Sequence, residues 1–449
     1  MSELLDILNA GKADDVLGEL YGSASAMLQK QRQRYIGLIE EYTHAFRGKR
    51  DIELFSAPGR TEVGGNHTDH NAGRVLAAAV DLDIVAAVAR NDEDVIRVQS
   101  GEYPAATVRI DELAVVESEQ FTPSALVRGV CARMKQLGYN IGSFDACTTS
   151  NVPEGSGLSS SAAFEVLVAT ILNYLYNDNS IDTVTVAQIS QYAENEYFGK
   201  PCGLMDQTTC AVGGLVTIDF EDFENPVVKK VDLNFAASGF SVVIVNTGGS
   251  HADLHSDYIA LEHEMKAVAR ALGGDVLRRF SRQKVLSNIP YLRTQVSDRA
   301  ILRALHFYGD DQRVVDQVEA LERNDFEGFL DLVVESGYSS WMLCQNCYSC
   351  SDVEEQGISV ALAVSERILK GKGAWRVHGG GFAGTIQAFV PNDLLGQYVG
   401  QMRAIFGEDS CHELMIRPVG ATRVEMRGLD DSQSQSSWST AKSKAPGSM

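Results

Sequence analysis

Apolar residues recur at helical spacing near the start of the chain: Leu4, Leu5, Ile7 and Leu8, then Leu17 and Leu20, then Met27, Tyr35, Leu38 and Ile39. Positions three and four apart line one face of a helix, so residues 1–47 predict two or three amphipathic helices. From residue 52 the pattern changes. Strand-like runs at 52–55, 75–88, 95–99, 144–149, 214–218, 241–245, 385–389 and 413–417 alternate with helical patterns. The helical patterns fall near 124–138, 160–176, 185–198, 252–271, 298–323, 353–370 and 393–406. Strands and helices mix without strict alternation, which predicts an α+β fold rather than a doubly wound sheet. The longest apolar run, Val75–Ala89, is interrupted by Asp81 and Asp83 and falls short of the roughly 18 residues a membrane span needs. After residue 428 the chain turns polar, small and aperiodic (Asp430, Asp431, then Ser and Gln), and a disordered tail over 429–449 is expected.

Composition narrows the function. The 449 residues carry 39 Lys+Arg against 60 Asp+Glu, a formal charge of −21. A chain this acidic lacks the basic face that nucleic acid or an anionic membrane needs. A small phosphorylated ligand remains open to it, because a few backbone N–H groups can hold a phosphate locally. Residues 1–8 contain Glu3 and Asp6 and no basic residue, unlike a signal peptide, and eight cysteines are too few for a disulfide scaffold. A soluble cytoplasmic protein is expected. Cys344, Cys347 and Cys350 recur every third residue, but on a helix they would fan apart, so they read as small buried thiols rather than a metal site.

Four polar segments carry candidate chemistry. In Pro153–Ala163, the strand-like 144–149 run gives way through Gly155, Ser156, Gly157, Leu158, Ser159, Ser160 and Ser161 to a helical run. Glycines let backbone N–H groups turn toward a ligand, and a helix N-terminus adds unpaired donors and a favourable dipole, so the segment can cradle a phosphate. It also suits a plain helix cap. No Lys follows the glycines, so it is not a P-loop. Ala57–His70 crowds Arg60, Asn66, His67 and Asp69 around Gly64 and Gly65, a set suited to hydroxyl recognition beside a permanent cation. His67 and His70 are poorly spaced for a metal. Ala193–Gln207 holds Glu194, able to join a serine hydroxyl at Mg²⁺, and Asp206, able to orient or deprotonate a hydroxyl. Either acid would equally serve as a helix-end charge. His378–Gly384 reads on its own as a turn between strands.

In order and spacing, these segments resemble the GHMP small-molecule kinases, and among them the galactokinase family most. That family carries GRxNxIGEHxDY, PxGxGLSSSAS, AExxFxGxPCGxMDQ and TGxGFGG; this chain shows GRTEVGGNHTDH, PEGSGLSSSAA, AENEYFGKPCGLMDQ and HGGGFAG, over about Ser56 to Arg427. The resemblance implies a two-domain α+β fold with the active site in the cleft. The chain would divide into a helical extension (1–50), an N-terminal kinase domain (51–225), a C-terminal kinase domain (226–428) and the tail. It further implies that Gly155–Ser161 hold the ATP phosphates, that Ser161 and Glu194 ligate Mg²⁺, and that Asp206 and Arg60 are catalytic. Asn66, His67, Thr68, Asp69, Gly203 and Tyr258 would bind the sugar. The implied reaction is transfer of the ATP γ-phosphoryl to the anomeric hydroxyl of galactose, with no nucleic-acid or membrane partner. No oligomeric state is assigned.

The departures cluster. Glu62 stands where the family has Asn, Gly64 where it has Ile, Asn66 where it has Glu, His70 where it has Tyr, and His378 where it has Thr. Replacing Glu by Asn removes an anionic acceptor and adds donors, so galacturonate, an N-acetylhexosamine or another galactose-like sugar is an alternative substrate. A non-catalytic sugar sensor of the same family is a further alternative, although in those the serine–alanine stretch is shortened and here it is intact.

Overall fold

The computed structural model describes residues 2–46, 51–101, 104–153, 157–233, 235–249 and 255–426. The expected tail and the expected phosphate contacts Gly155 and Ser156 therefore lie outside the described residues. Three helices open the chain: α1 (Ser2–Asn9), α2 (Asp14–Tyr21) and α3 (Ser25–Ala45). Next come β1 (Glu53–Gly64), β2 (Arg74–Arg90), β3 (Val95–Ser100), β4 (Ala106–Arg109), α4 (Pro123–Gln136) and β5 (Phe144–Ser150). Then follow α5 (Ser160–Tyr176), α6 (Thr183–Ala193), α7 (Met205–Val212), β6 (Leu215–Asp219) and β7 (Val227–Val231). With β12 (Thr422–Arg423) from the end of the chain, these strands form one sheet in the order β12–β1–β2–β5–β3–β4, with the β6–β7 hairpin attached to β2. Among the described residues only the β3–β5 pair is parallel.

The 17-residue β2 organises this sheet. Its first part pairs with β6 and its last part with β5, while β1 runs along the other edge. Both faces of its second half are covered. Ile84, Ala86 and Val88 join the core beneath α5, whereas Val85, Ala87 and Ala89 face Leu17, Tyr35, Leu38 and Ile39 of the first three helices. Alternate residues point to opposite faces of a strand, so two buried faces produce a continuous apolar run instead of an alternating one. The N-terminal helices are thus the lid on one face of the sheet.

The second half contains β8 (Phe240–Asn246), α8 (His255–Ala271), α9 (Arg282–Ser287), α10 (Ile289–Leu292), α11 (Asp298–Glu322), α12 (Phe326–Ser339) and α13 (Gly357–Leu369). It closes with β9 (Ala374–Val377), β10 (Thr385–Pro391), α14 (Leu395–Phe406), β11 (Cys411–Leu414) and β12 (Thr422–Arg423). An antiparallel sheet ordered β11–β8–β10–β9 packs α13 and α14 on one face. Its other face, through Val242, Ile244 and Phe389, belongs to the same apolar cluster as the first sheet. The fold is α+β. Among the described residues no helix is long and apolar enough to cross a membrane.

Some elements differ from the expectation. The helix read over 185–198 ends at Ala193 and continues as a π-turn over Glu194–Phe198. The strand read at 413–417 is Cys411–Leu414. Helix α12 was not read at all, because Gly328, Ser336 and Gly337 weaken its local helical signal while packing holds it. Cys344 and Cys347 are buried thiols, but Cys350 is exposed, contrary to the reading of all three as buried. The segment that follows α12 turns outward there instead of continuing as a helix.

Phe389 is 1 % exposed and rests against Phe329 at 5.4 Å between ring centres. Phe389→Ala should cost about 3–5 kcal/mol. Because the two sheets share that cluster, chemical denaturation should show one shifted transition; two separate transitions would contradict a shared core.

Candidate active site at the junction of the glycine motifs

The site is built on a bulge. The register of β1 against β2 slips between Pro58 and Arg60, and the segment after β5 lies across that slip. A Cβ on Gly59 would sit 2.8 Å from the Leu158 carbonyl oxygen and 3.3 Å from Val152, so only glycine admits the approach. The Arg60 N–H donates to the Leu158 carbonyl at 3.0 Å, and its Nη1 donates to the Gly157 carbonyl. Leu158 itself is a core side chain, so of that residue only the backbone is available to a ligand. Ser159 then adopts a left-handed conformation (φ 62°) and α5 begins, leaving the N–H groups around Ser160 and Ser161 at an open helix N-terminus.

The first turn of α7 brings Asp206 to this bulge. Arg60 Nε and Nη2 donate to its two carboxylate oxygens at 2.7 and 2.6 Å, a bidentate pair, and Ser159 Oγ donates to the same carboxylate. Burial opposes charge on Asp206, but Arg60 outweighs it and holds the carboxyl below the usual range. Burial would also lower Arg60, and Asp206 raises it. Both groups stay ionised, and each compensates the other's lost water.

Ser161 Oγ donates to Glu194 Oε1 at 2.9 Å. Gln207 Nε2 bridges Glu194 and Glu165 at 2.8 Å each, while Gln207 Oε1 and Glu165 Oε2 are buried without a hydrogen-bond partner among the described residues. A hydroxyl and carboxylates, all hard oxygen donors, fit a magnesium ion that keeps its other ligands from water and phosphate. Lys200 Nζ lies 3.4 Å from Glu194 Oε1. Burial lowers the Lys200 pKa, but Glu194 and Asp206 raise it further, adding a second cation that the motif reading left unassigned.

The sugar-motif residues divide. His67, at φ 59°, sets Nε2 2.9 Å from the Gly380 carbonyl, and Tyr258 donates its hydroxyl to the Gly381 carbonyl at 2.9 Å. The glycine triplet near 380, merely a turn in the sequence, is therefore the platform that brings His67 and Tyr258 together. Asp69 Oδ2 would be 2.5 Å from a Cβ on Gly203, so these two expected residues also meet, three residues before Asp206. Asn66 and Thr68 do not offer their side chains. Asn66 is fully buried: Nδ2 donates to Glu62 Oε1 and the Gly379 carbonyl, both at 2.9 Å, while Oδ1 accepts from Asn346 at 2.9 Å and Ser340 at 3.2 Å. All four hydrogen-bonding positions are taken. Thr68 Oγ1 donates to the carbonyls of Gly65 and Arg74 and is likewise buried. In this structure both side chains brace the turn from within.

Asn66 and Glu62 also explain each other. The family pattern has Asn then Glu at these two positions, and this chain has Glu then Asn, joined by a hydrogen bond. The displaced acid is neutralised by Arg376, whose Nη2 donates to Glu62 at 2.7 Å while Nη1 donates to the Val63 carbonyl. Burial lifts the Glu62 pKa and Arg376 only partly offsets it. His306 and Asp310 of α11 grip the Asn66 backbone, at 2.9 Å to its carbonyl and 2.7 Å from its N–H. The readable signal for Arg376 was a lone charge in the strand-like 374–377 run. Nothing local identified His306 or Asp310.

A model of the GHMP kinase N-terminal domain matches residues 125–214, and a galactokinase galactose-binding signature matches residues 40–90. The structure superposes on Lactococcus lactis galactokinase complexed with galactose, with a TM-score of 0.74 at 22 % identity over 87 % of this chain and 100 % of that one. The chain has the GHMP kinase fold. Methanococcus jannaschii mevalonate kinase, another GHMP fold match, gives a TM-score of 0.58 at 14 % identity, covering 83 % of this chain and 99 % of that one. A D-glycero-D-manno-heptose 1-phosphate kinase from Bacteriodes thetaiotaomicron gives 0.54 at 16 % identity over 83 % and 98 %. The two matched sequence models cover the segments that form the Arg60 bulge and the serine-rich helix start of this GHMP fold.

Two outcomes follow from the geometry. Asn66→Glu alone puts a second carboxylate beside Glu62 and should destabilise the protein, whereas Glu62→Asn combined with Asn66→Glu leaves one acid near Arg376. A double-mutant cycle by chemical denaturation should give a favourable coupling of at least about 1 kcal/mol, and simple additivity would refute the exchange. Burial also lowers the pKa of His67, to about 4, and those of His306 and His378. The unfolded chain takes up these protons near pH 6.5 and the folded chain only at lower pH, so stability is full above 6.5 and falls as pH drops below it. Melting temperatures between pH 7.5 and 5 should fall accordingly, and a flat profile would contradict neutral buried imidazoles.

Proposed function

We propose that this chain is an ATP-dependent sugar 1-kinase that transfers the ATP γ-phosphoryl to the anomeric hydroxyl of D-galactose, giving α-D-galactose 1-phosphate and ADP. The observation that carries the reading is the Arg60–Asp206 pair, held between the serine-rich start of α5 and the Asp69–Gly203 contact. Phosphoryl transfer needs the two oxygens in line and the charge on the transferring group balanced, and little covalent help.

In this reading the N–H groups at the start of α5 hold the ATP phosphates. Ser161 and Glu194 would hold Mg²⁺, which when bound neutralises phosphate charge. Asp206 accepts a hydrogen bond from the anomeric hydroxyl and aligns it on the γ-phosphorus. Its lowered pKa makes it a weak base, suited to take the proton late, as the new P–O bond forms, rather than to ionise the hydroxyl beforehand. Arg60 keeps that carboxylate ionised and lies close enough to stabilise charge on the transferring group. His67, Asp69 and Tyr258 would hold the sugar.

One observation favours a second reading of the substrate. Asn66 is saturated inside the chain, and the acid that the family has at that position is at Glu62, paired with Arg376. A sugar hydroxyl that a carboxylate would bind there has no such acceptor, so galacturonate or another galactose-like sugar is the alternative.

With ATP and Mg²⁺, ADP release should depend on sugar and be strongest with galactose in a panel with galacturonate, N-acetylgalactosamine and glucose. Preference for galacturonate selects the alternative, and no turnover with any sugar rejects the kinase reading. Asp206→Asn and Arg60→Met should each lower kcat by roughly 10²-fold or more in protein that is still folded at the assay temperature, and near-native rates would remove them from the mechanism.

A further inference from the structure

One fully buried carboxylate takes no part in the site just described. Asp83 interrupts the apolar run of β2 directly opposite Pro58, and it is 0 % exposed. Its side chain accepts from Tyr21 Oη at 2.6 Å, from Arg34 Nη1 at 2.6 Å, from Arg417 Nη1 at 3.0 Å and from Ser56 Oγ. A lone carboxylate in an apolar sheet would be costly, and two guanidiniums with two hydroxyls compensate it.

Two of those donors come from the N-terminal helices, Tyr21 at the end of α2 and Arg34 in α3. Arg34 reaches further than the carboxylate. Its Nη2 donates to the Asp83 carbonyl at 3.0 Å and to the Thr149 carbonyl at 3.1 Å, clamping β2 to β5 where β5 is about to end. The Asp83 carbonyl also accepts from the N–H of Asn151 at 2.9 Å. Asn151 and Val152 precede the serine-rich segment in sequence, and Val152 and the Leu158 carbonyl both lie against Gly59. One guanidinium from an N-terminal helix therefore fixes the base from which the serine-rich segment departs.

We propose that Arg34, supported by Tyr21, is a positioning residue for nucleotide binding: through Asp83 and Thr149 it sets the base of the phosphate-binding segment. The N-terminal helices thus act on the nucleotide side of the site and not on the sugar side. The inference rests on the kinase reading, in which residues 157–161 meet the ATP phosphates. A part that only stabilises the fold would lower the melting temperature and leave the nucleotide affinity of the folded protein unchanged, so affinity separates the two roles.

The test uses the full chain and its Arg34→Met, Arg34→Lys and Tyr21→Phe variants. Binding of the fluorescent nucleotide N-methylanthraniloyl-ADP with Mg²⁺ is measured beside steady-state KM values for ATP and sugar. Arg34→Met should raise the nucleotide Kd and the KM for ATP about ten-fold or more, with the KM for sugar within two-fold. Arg34→Lys keeps the charge but cannot span both carbonyls, so it should fall between, and Tyr21→Phe should give a smaller shift of the same kind. An unchanged nucleotide Kd in Arg34→Met, or a parallel loss of sugar affinity, overturns the proposal. If Arg34→Met does not fold, an Arg34→Lys protein with wild-type nucleotide Kd overturns it equally. A wild-type chain that binds no nucleotide rejects the kinase reading and this inference with it, whereas wild-type binding with unaltered variants rejects the inference alone.

Discussion

A guanidinium placed in a protein interior has to meet a carboxylate, and the bulge of β1 places Arg60 in one. Its bidentate bond to Asp206 joins three pieces of chain that are far apart in sequence: β1, the segment entering α5, and the first turn of α7. Neither charge could be withdrawn from water alone without a cost of several kcal/mol. Together they hold the Ser159 hydroxyl and the Gly157 carbonyl in place. The glycine at position 59 matters for the same reason, because a side chain there would push the serine segment off the bulge and separate the pair.

The same requirement repeats around the site. Asp83 lies behind the bulge with Arg34 and Arg417, and Glu62 lies beside it with Arg376. Both of these buried acids meet buried bases, so the segments around the site are joined by paired charges as well as by apolar packing. An acidic chain with −21 net charge can still concentrate positive charge locally in this way. Its excess acid is on the surface, while at the cleft Arg60, Lys200 and the start of α5 set the local field.

Much of this was legible in the residues. Glycine and serine between a strand and a helix carry their own chemistry, since φ > 0 and open helix N–H groups are local properties. Ser161 was readable because it stands inside such a segment, Arg60, Asp206 and Glu194 were singled out by the motif resemblance, and the structure brings each pair within hydrogen-bond reach. Asn66 and Thr68 are the opposite case. Their residue types fit hydroxyl recognition, but whether a polar side chain faces a cleft or a core depends on what packs over it. Over Asn66, Ser340, Asn346, Gly379 and His306 arrive from the other half of the chain, while Thr68 is tied to its own turn through Gly65 and Arg74.

The sequence by itself determined the α+β class, most strand and helix positions, and the serine-rich start of α5, because periodicity and backbone freedom act over a few residues. It also marked Asp81 and Asp83 as interruptions of an apolar run, without a reason for them. Tertiary structure decided the rest: that β2 is buried on both faces, that the first three helices cover one of them, and that Asp83 is held by Tyr21, Arg34 and Arg417. It also decided that Glu62 pairs with a base 314 residues away. The physical reason is common to all of these. A buried charge is tolerable only beside its partner, and partners are chosen by distance in space, which no local pattern encodes.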